Sequence, residues 1–168
     1  MHGIPTEQKI LKEGDIVSLD LGIKHEGMFT DHAITVPVGA VSKEKEKLMQ
    51  VTREALLVAI EEVRPGARVG DIGHAIESFV KKSGKYGIVR VLAGHGVGRY
   101  IHEDPFVPNY GKKGTGDVLA PGMVIAIEPM LTLGTEEVIE GRDGYTMKTA
   151  DGSAAAHFEH TVLVTETG

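Results

Sequence analysis

Apolar and polar positions alternate through residues 16–36, IVSLDLGIKHEGMFTDHAITV, and the alternation predicts two strands joined by a tight turn. Val17, Leu19 and Leu21 share one side of the first strand, and Ile34 and Val36 follow in the return. Lys24-His25-Glu26-Gly27 supplies the turn, because Gly27 accepts a positive φ without steric cost. Folding about His25 and Glu26 sets Asp20 opposite Asp31, Ser18 opposite Ala33 and Gly22 opposite Phe29. Directly opposed side chains have Cβ atoms about 4.5–5.5 Å apart, and like charges there repel. Two facing carboxylates call for a shared proton or, better, for one or two divalent cations, since carboxylates suit hard or borderline metals.

The period then changes. Residues 1–13 are irregular, and Pro37 and Gly39 close the hairpin. Ser42 is placed to cap a helix, with Glu44 and Glu46 in the first turn where the helix dipole favours acids. Leu48, Val51, Ala55, Leu56, Ala59, Ile60 and Val63 carry helical spacing to about residue 63, where Arg64-Pro65-Gly66 ends it. A second helix is predicted over about 69–82, with Ile72, Ala75, Ile76, Phe79 and Val80 inward. Residues 86–92 read as a strand leading into Gly94-His95-Gly96-Val97-Gly98, and Pro105 and Pro108 make the next stretch a loop. Further strands are expected over 123–130, 145–149 and 157–165, with Asp151-Gly152 near the turn between the last two.

A faint internal repeat links the two ends of the chain. Gly14-Asp15-Ile16-Val17-Ser18-Leu19-Asp20 resembles Gly122-Met123-Val124-Ile125-Ala126-Ile127-Glu128, each with a carboxylate six residues after the glycine. A His-Gly pair precedes each, at His2-Gly3 and His95-Gly96, and a strand with a second carboxylate, Asp31 or Glu159, follows each. The repeat describes two related halves whose carboxylates converge on one centre.

Composition narrows the function. A chain of 168 residues with 41% hydrophobic positions suffices for one domain, residues 1–168, with its own core. A net charge of −6 argues against nucleic acid or an anionic membrane as the main partner. Absence of cysteine removes disulfides and thiolate ligands, which fits the cytoplasm. No apolar run approaches the ~20 residues of a membrane span, and residues 1–10 lack the apolar core of a signal peptide.

The chemistry-bearing candidates are Asp20, Asp31, His95, Glu128 and Glu159. Any one alone is accounted for by an exposed strand face. Four carboxylates in apolar strands are costly to bury unless paired or bound to metal. Oxygen donors with one nitrogen suit Mn²⁺, Fe²⁺, Co²⁺ or Zn²⁺ in a catalytic site better than a structural zinc site, which prefers Cys and His.

His2-Gly3-Ile4-Pro5, the Asp20 and Asp31 pair, Gly94-His95-Gly96-Val97-Gly98 with His102-Glu103-Asp104-Pro105, Ile127-Glu128-Pro129-Met130 and Phe158-Glu159-His160-Thr161 resemble the type I methionine aminopeptidases in order and spacing. The resemblance covers nearly the whole chain. It implies the α+β pita-bread fold, in which two pseudo-symmetric halves of antiparallel strands, covered by helices, hold two divalent ions. It implies that Asp20 chelates one ion, that Asp31 and Glu159 bridge both, and that His95 and Glu128 complete the other. Glu128 would also take a proton from the attacking water, and His2 and His102 would contact the substrate around the scissile amide. The implied partners are N-termini of peptides and nascent proteins, near the ribosome.

Three departures from the family pattern accompany the match. The family's domain begins well before its His-Gly-Ile-Pro motif, which here starts at residue 2, so the first half is expected to lack its helices and part of the methionine pocket. Its apolar face (Val17, Leu19, Leu21, Ile34 and Val36) is then expected to be exposed and to favour self-association. Ile101 and Tyr145 stand where phenylalanine and tryptophan commonly line the pocket. His157 stands where glutamine is common, either perturbing the site or facing solvent. The alternatives are a proline-directed peptidase of the same fold and a non-catalytic binding module. His25, His74, His32 and His160 rank lower, and Gly111-Lys112-Lys113-Gly114-Thr115-Gly116 reads as a solvated loop.

Overall fold

The computed structural model describes all 168 residues. Four strands come first: β1 (Ile16–Asp20), β2 (Ile23–His25), β3 (Met28–Thr30) and β4 (His32–Pro37). Two helices follow, α1 (Lys43–Ile60) and α2 (Val69–Ser83). The remainder is β5 (Gly87–Ile88), β6 (Gly94–Gly96), β7 (Glu103–Val107), β8 (Val124–Ile127), β9 (Met130–Thr132), β10 (Val138–Glu140), β11 (Met147–Thr149), β12 (Ala155–His157) and β13 (Glu159–Leu163). The main sheet has six strands in the order β1-β4-β13-β8-β6-β7, all antiparallel. The two strand pairs of the repeat therefore lie side by side, with β4 and β13 at the join.

The opening hairpin forms, but its register differs from the alternation's simplest reading. His25 faces Met28, and the turn is the two residues Glu26 and Gly27, at φ 47° and 84°. A two-residue turn that follows the sheet's twist needs positive φ at both central positions, so the glycine belongs inside the loop. Asp20 accordingly faces Ala33, Ser18 faces Thr35, and Phe29 faces Lys24. Asp31 falls between β3 and β4 and is not directly opposed to Asp20.

Both helices form where their spacing places them. The Ser42 hydroxyl accepts from the Lys45 amide at 3.4 Å. The first helix ends at Ile60, three residues before the expected stop, and Val63 is buried in the turn beyond it. In the second helix the Asp71 carboxylate accepts from the Arg68 amide at 2.8 Å and the Gly114 amide at 2.7 Å, fixing an otherwise exposed loop. A Cβ at Gly73 would collide with the Tyr110 carbonyl, so the helix lies directly on that backbone. Leu48, Val51, Leu56, Ile72 and Ile76 bury against Ile125, Ile127 and Leu131, which places the core between the helices and the second half's strands. The first half has less cover: Leu19 and Leu21 are 52% and 61% exposed, whereas Val17, Ile34 and Val36 are half-buried.

Proline explains most of the strand corrections. The expected 123–130 strand breaks at Glu128-Pro129 into β8 and β9, because proline cannot donate to the pairing, and β9 joins a separate sheet with β12 and β5. Pro105 lies inside β7 and not in a loop, which the sheet tolerates because β7 is an edge strand. Only two residues of the expected 86–92 strand pair, as β5. The strands near 145–149 and 157–165 do not pair with each other: β11 pairs with β10, β12 with β9, and β13 with β4 and β8.

Candidate metal centre

Each ligand candidate stands at a strand end or in a strand that fixes it. Asp20 ends β1, Asp31 precedes β4, His95 is central in β6, Glu128 follows β8, and Glu159 begins β13. Thr161 clamps Asp31: its hydroxyl accepts from the Asp31 amide and donates to the Asp31 carbonyl, each at 2.8 Å. The Asp31 carboxylate also accepts from the His32 amide at 3.0 Å. Asn109 donates its amide to the Glu128 carbonyl at 3.1 Å. His95 Nδ1 lies 2.9 Å from the Gly96 carbonyl. A carbonyl can only accept, so Nδ1 carries the proton and the lone pair of Nε2 faces Glu128 Oε1, 3.6 Å away. Glycines on either side of His95 are required by close packing, since a Cβ at Gly94 or Gly96 would strike the Ala126 or Asp104 carbonyl.

These residues converge. The donor atoms of Asp20, Asp31 and Glu159 lie within 4.8 Å of one another, as do those of His95, Glu128 and Glu159, and those of Asp31, His95 and His102. Glu159, Asp31 and His95 each belong to two of these groups. The diagonal offset of Asp20 and Asp31 thus does not separate their carboxylates. All five candidates, with His2, His102, Ile101 and Tyr145, line one cleft of about 950 Å³. The His102 ring meets the His95 ring edge-on at 4.4 Å. His2 Nε2 lies 3.3 Å from Asp20 Oδ2.

The electrostatics show what the cluster lacks. Burial, and then the charges of Glu128, Asp31 and Asp20, push the Glu159 carboxyl up to about 9. Burial and the neighbouring Asp20 raise Asp31, whereas the hydrogen bond from His2 lowers Asp20. Glu159 Oε1 is buried with no hydrogen-bond partner, and the residue is 2% exposed. A divalent cation satisfies an orphaned carboxylate oxygen amid like charges, and the oxygen-rich set with one imidazole fits such an ion.

His157 was open to two readings from sequence, and the structure decides between them: it is 1% exposed and does not face solvent. It ends β12, across the Phe158 break from Glu159, so the two do not share one continuous strand. Its Nε2 lies 3.4 Å from Glu128 Oε2. The Thr35 hydroxyl accepts from the His157 amide and donates to the His157 carbonyl, each at 2.8 Å. Thr161 and Thr35, in strands, and Asn109, in the loop after β7, had no sequence signal as supports of the candidate centre. His32 and His160 stack at 4.9 Å as a cross-strand pair, one residue from Ala33 and Glu159, and neither lines the cleft. The glycines around His95 lead through a loop into β7 and not into a nucleotide-binding helix.

Residues 1–166 match metallopeptidase family M24. The chain belongs to this family. Membership brings a divalent metal cofactor, in keeping with the carboxylate cluster. The chain is 53% identical, over its whole length, to the methionine aminopeptidase of Aquifex aeolicus, and spans 66% of that protein. The crystal structure of methionine aminopeptidase from Thermotoga maritima superposes with a TM-score of 0.96 at 49% identity, covering 99% of this chain and 66% of that one. Prolidase from Pyrococcus furiosus shares the fold at a TM-score of 0.75 and 29% identity, with 96% of this chain and 42% of that one covered. The M24 chain thus has the pita-bread fold, a curled antiparallel sheet with two helices against it.

Proposed function

We propose that this chain carries the catalytic centre of a methionine aminopeptidase, which removes N-terminal methionine from peptides and nascent proteins in the cytoplasm. The observation that carries the reading is the convergence of four carboxylates and His95 on one cleft whose wall also holds His2 and His102. Greater likeness to methionine aminopeptidases than to prolidase supports the substrate class. Asp20 would hold one divalent ion, Asp31 and Glu159 both, and His95 with Glu128 the other. When bound, such ions lower the pKa of water toward neutrality and polarise a carbonyl.

The chain's own residues do the rest. Glu128 accepts the proton of the attacking water at its carboxylate. His102, beside His95, donates to the oxygen on which negative charge develops, and such a donor contributes only as the transition state forms. His2 contacts the scissile amide, and Ile101 and Tyr145 receive the methionine side chain. The exposed edge of β1 is proposed to mediate self-association; the ribosome, where nascent N-termini emerge, is the implied setting.

The test is release of methionine from a Met-Ala-Ser peptide by protein supplied with Mn²⁺ or Co²⁺. Metal-dependent release is expected, and His102→Ala should lower kcat by about 10²–10³, the loss typical of an oxyanion donor, with melting unchanged. Release from a prolyl substrate instead would favour the proline-directed alternative, and no release with metals bound would favour a binding module.

A further inference from the structure

We propose an additional metal site beside the carboxylate cluster, formed by His2, Asp20 and His157, for a borderline divalent ion such as Zn²⁺ or Co²⁺. The donor atoms of the three residues lie within 4.8 Å of one another. His2 Nε2 is 3.3 Å and His157 Nδ1 4.0 Å from the same atom, Asp20 Oδ2. Two nitrogens and an oxygen at zinc bond lengths of about 2.0–2.2 Å stand roughly 3.3 Å apart in a tetrahedral site. The first separation already has that value, and a small rotation of the Asp20 carboxylate closes the second. Of the residues assigned to the two ions above, only Asp20 is shared. Two imidazoles with one carboxylate form a ligand set that suits zinc and leaves a fourth position open.

An independent observation points to a ligand. His157 is 1% exposed, and both ring nitrogens are buried without a hydrogen-bond partner. Its Nε2 lies 3.4 Å from Glu128 Oε2 and its Nδ1 4.0 Å from Asp20 Oδ2, so the ring stands between two carboxylates without a hydrogen bond to either. A buried imidazole with both nitrogens unpaired is costly, and an ion held between Nδ1 and the partly exposed Asp20 carboxylate removes that cost on the cleft side. A histidine whose far nitrogen is directed at a carboxylate while its near nitrogen faces a gap has the arrangement seen around metal-ligating imidazoles. The edge-on approach of the His2 ring, at 5.2 Å, brings the third donor to the same gap.

The test is the number of Zn²⁺ ions bound per chain at equilibrium dialysis, measured on the parent, His157→Gln and His2→Gln, together with ¹⁵N NMR of histidine-labelled protein. The parent should bind one ion more than either variant. Zn²⁺ should also shift His157 Nδ1 and His2 Nε2, while circular dichroism stays the same in all three. Equal stoichiometry in parent and His157→Gln, or a His157 Nδ1 resonance unmoved at saturating Zn²⁺, overturns the proposal. The peptidase reading shares Asp20 and His2 with this site but makes no use of His157, so the His157→Gln and His157 resonance results are separate from that reading, which is tested by methionine release. If His157→Gln does not fold, the resonance of the parent alone decides.

Discussion

At the scale of single residues, the candidate centre depends on groups outside its own donor set. Thr161 donates to and accepts from the backbone of Asp31 and so fixes where that carboxylate starts. Thr161→Val keeps the shape and removes both bonds. It should cost about 1–3 kcal/mol of stability, the net worth of two such bonds. It should also weaken Mn²⁺ binding about 10–100-fold, the range for lost supporting contacts. Titration calorimetry measures the second effect, and unchanged affinity would show that Asp31 is held by other means. The candidate ligands were legible because carboxylates in apolar strands are conspicuous. Their supports were not, since a threonine near a ligand looks like any strand threonine until the neighbouring strand is in place.

At the scale of elements, loop 141–146 shows how local hydrogen bonding sets the cleft wall. Asp143 accepts from the Thr146 amide at 2.8 Å, the Thr146 hydroxyl at 2.6 Å and the Tyr145 amide at 3.1 Å. These bonds, the Thr146 hydroxyl first, lower the Asp143 carboxyl to about 2 from 3.8. Because the folded value lies below the unfolded one, the stabilisation is present above about pH 4 and disappears as pH falls through about 2. The Thr146 amide resonance should therefore titrate with a midpoint near 2. A midpoint near 3.8 would mean that the loop is not tied in this way. Elements governed by local signals were readable in the same manner: Ser42 caps α1, and the apolar spacing of α1 and α2 faces the core. Register was not, because the turn at Glu26-Gly27 obliges a glutamate to adopt positive φ, which no side-chain preference announces. Nor was the division at Pro129, where one apolar run serves two sheets.

At the scale of the molecule, the sheet presents an unpaired margin. β1 is an edge strand, and Leu19, Leu21 and Ile23 are each more than half exposed along it and just beyond. Exposed apolar edges invite pairing with another chain, and lysine on an edge opposes it. Sedimentation should show concentration-dependent dimers that Leu19→Lys weakens; a parent that stays monomeric at high concentration would remove the edge as an interface. The repeat was visible in sequence as two short motifs, and the adjacency of the two strand pairs in the sheet gives it physical meaning, since that adjacency is what brings Asp20, Asp31, Glu128 and Glu159 together. The central claim is that this gathering of charge is held by divalent ions. Calorimetric melting with saturating Mn²⁺ and with chelator tests it most directly. The melting temperature should rise with metal in the parent, because cations relieve the repulsion that burial imposes on Glu159 and Asp31, and should rise far less in Asp31→Asn. A parent whose melting temperature is the same with and without Mn²⁺ would contradict the account.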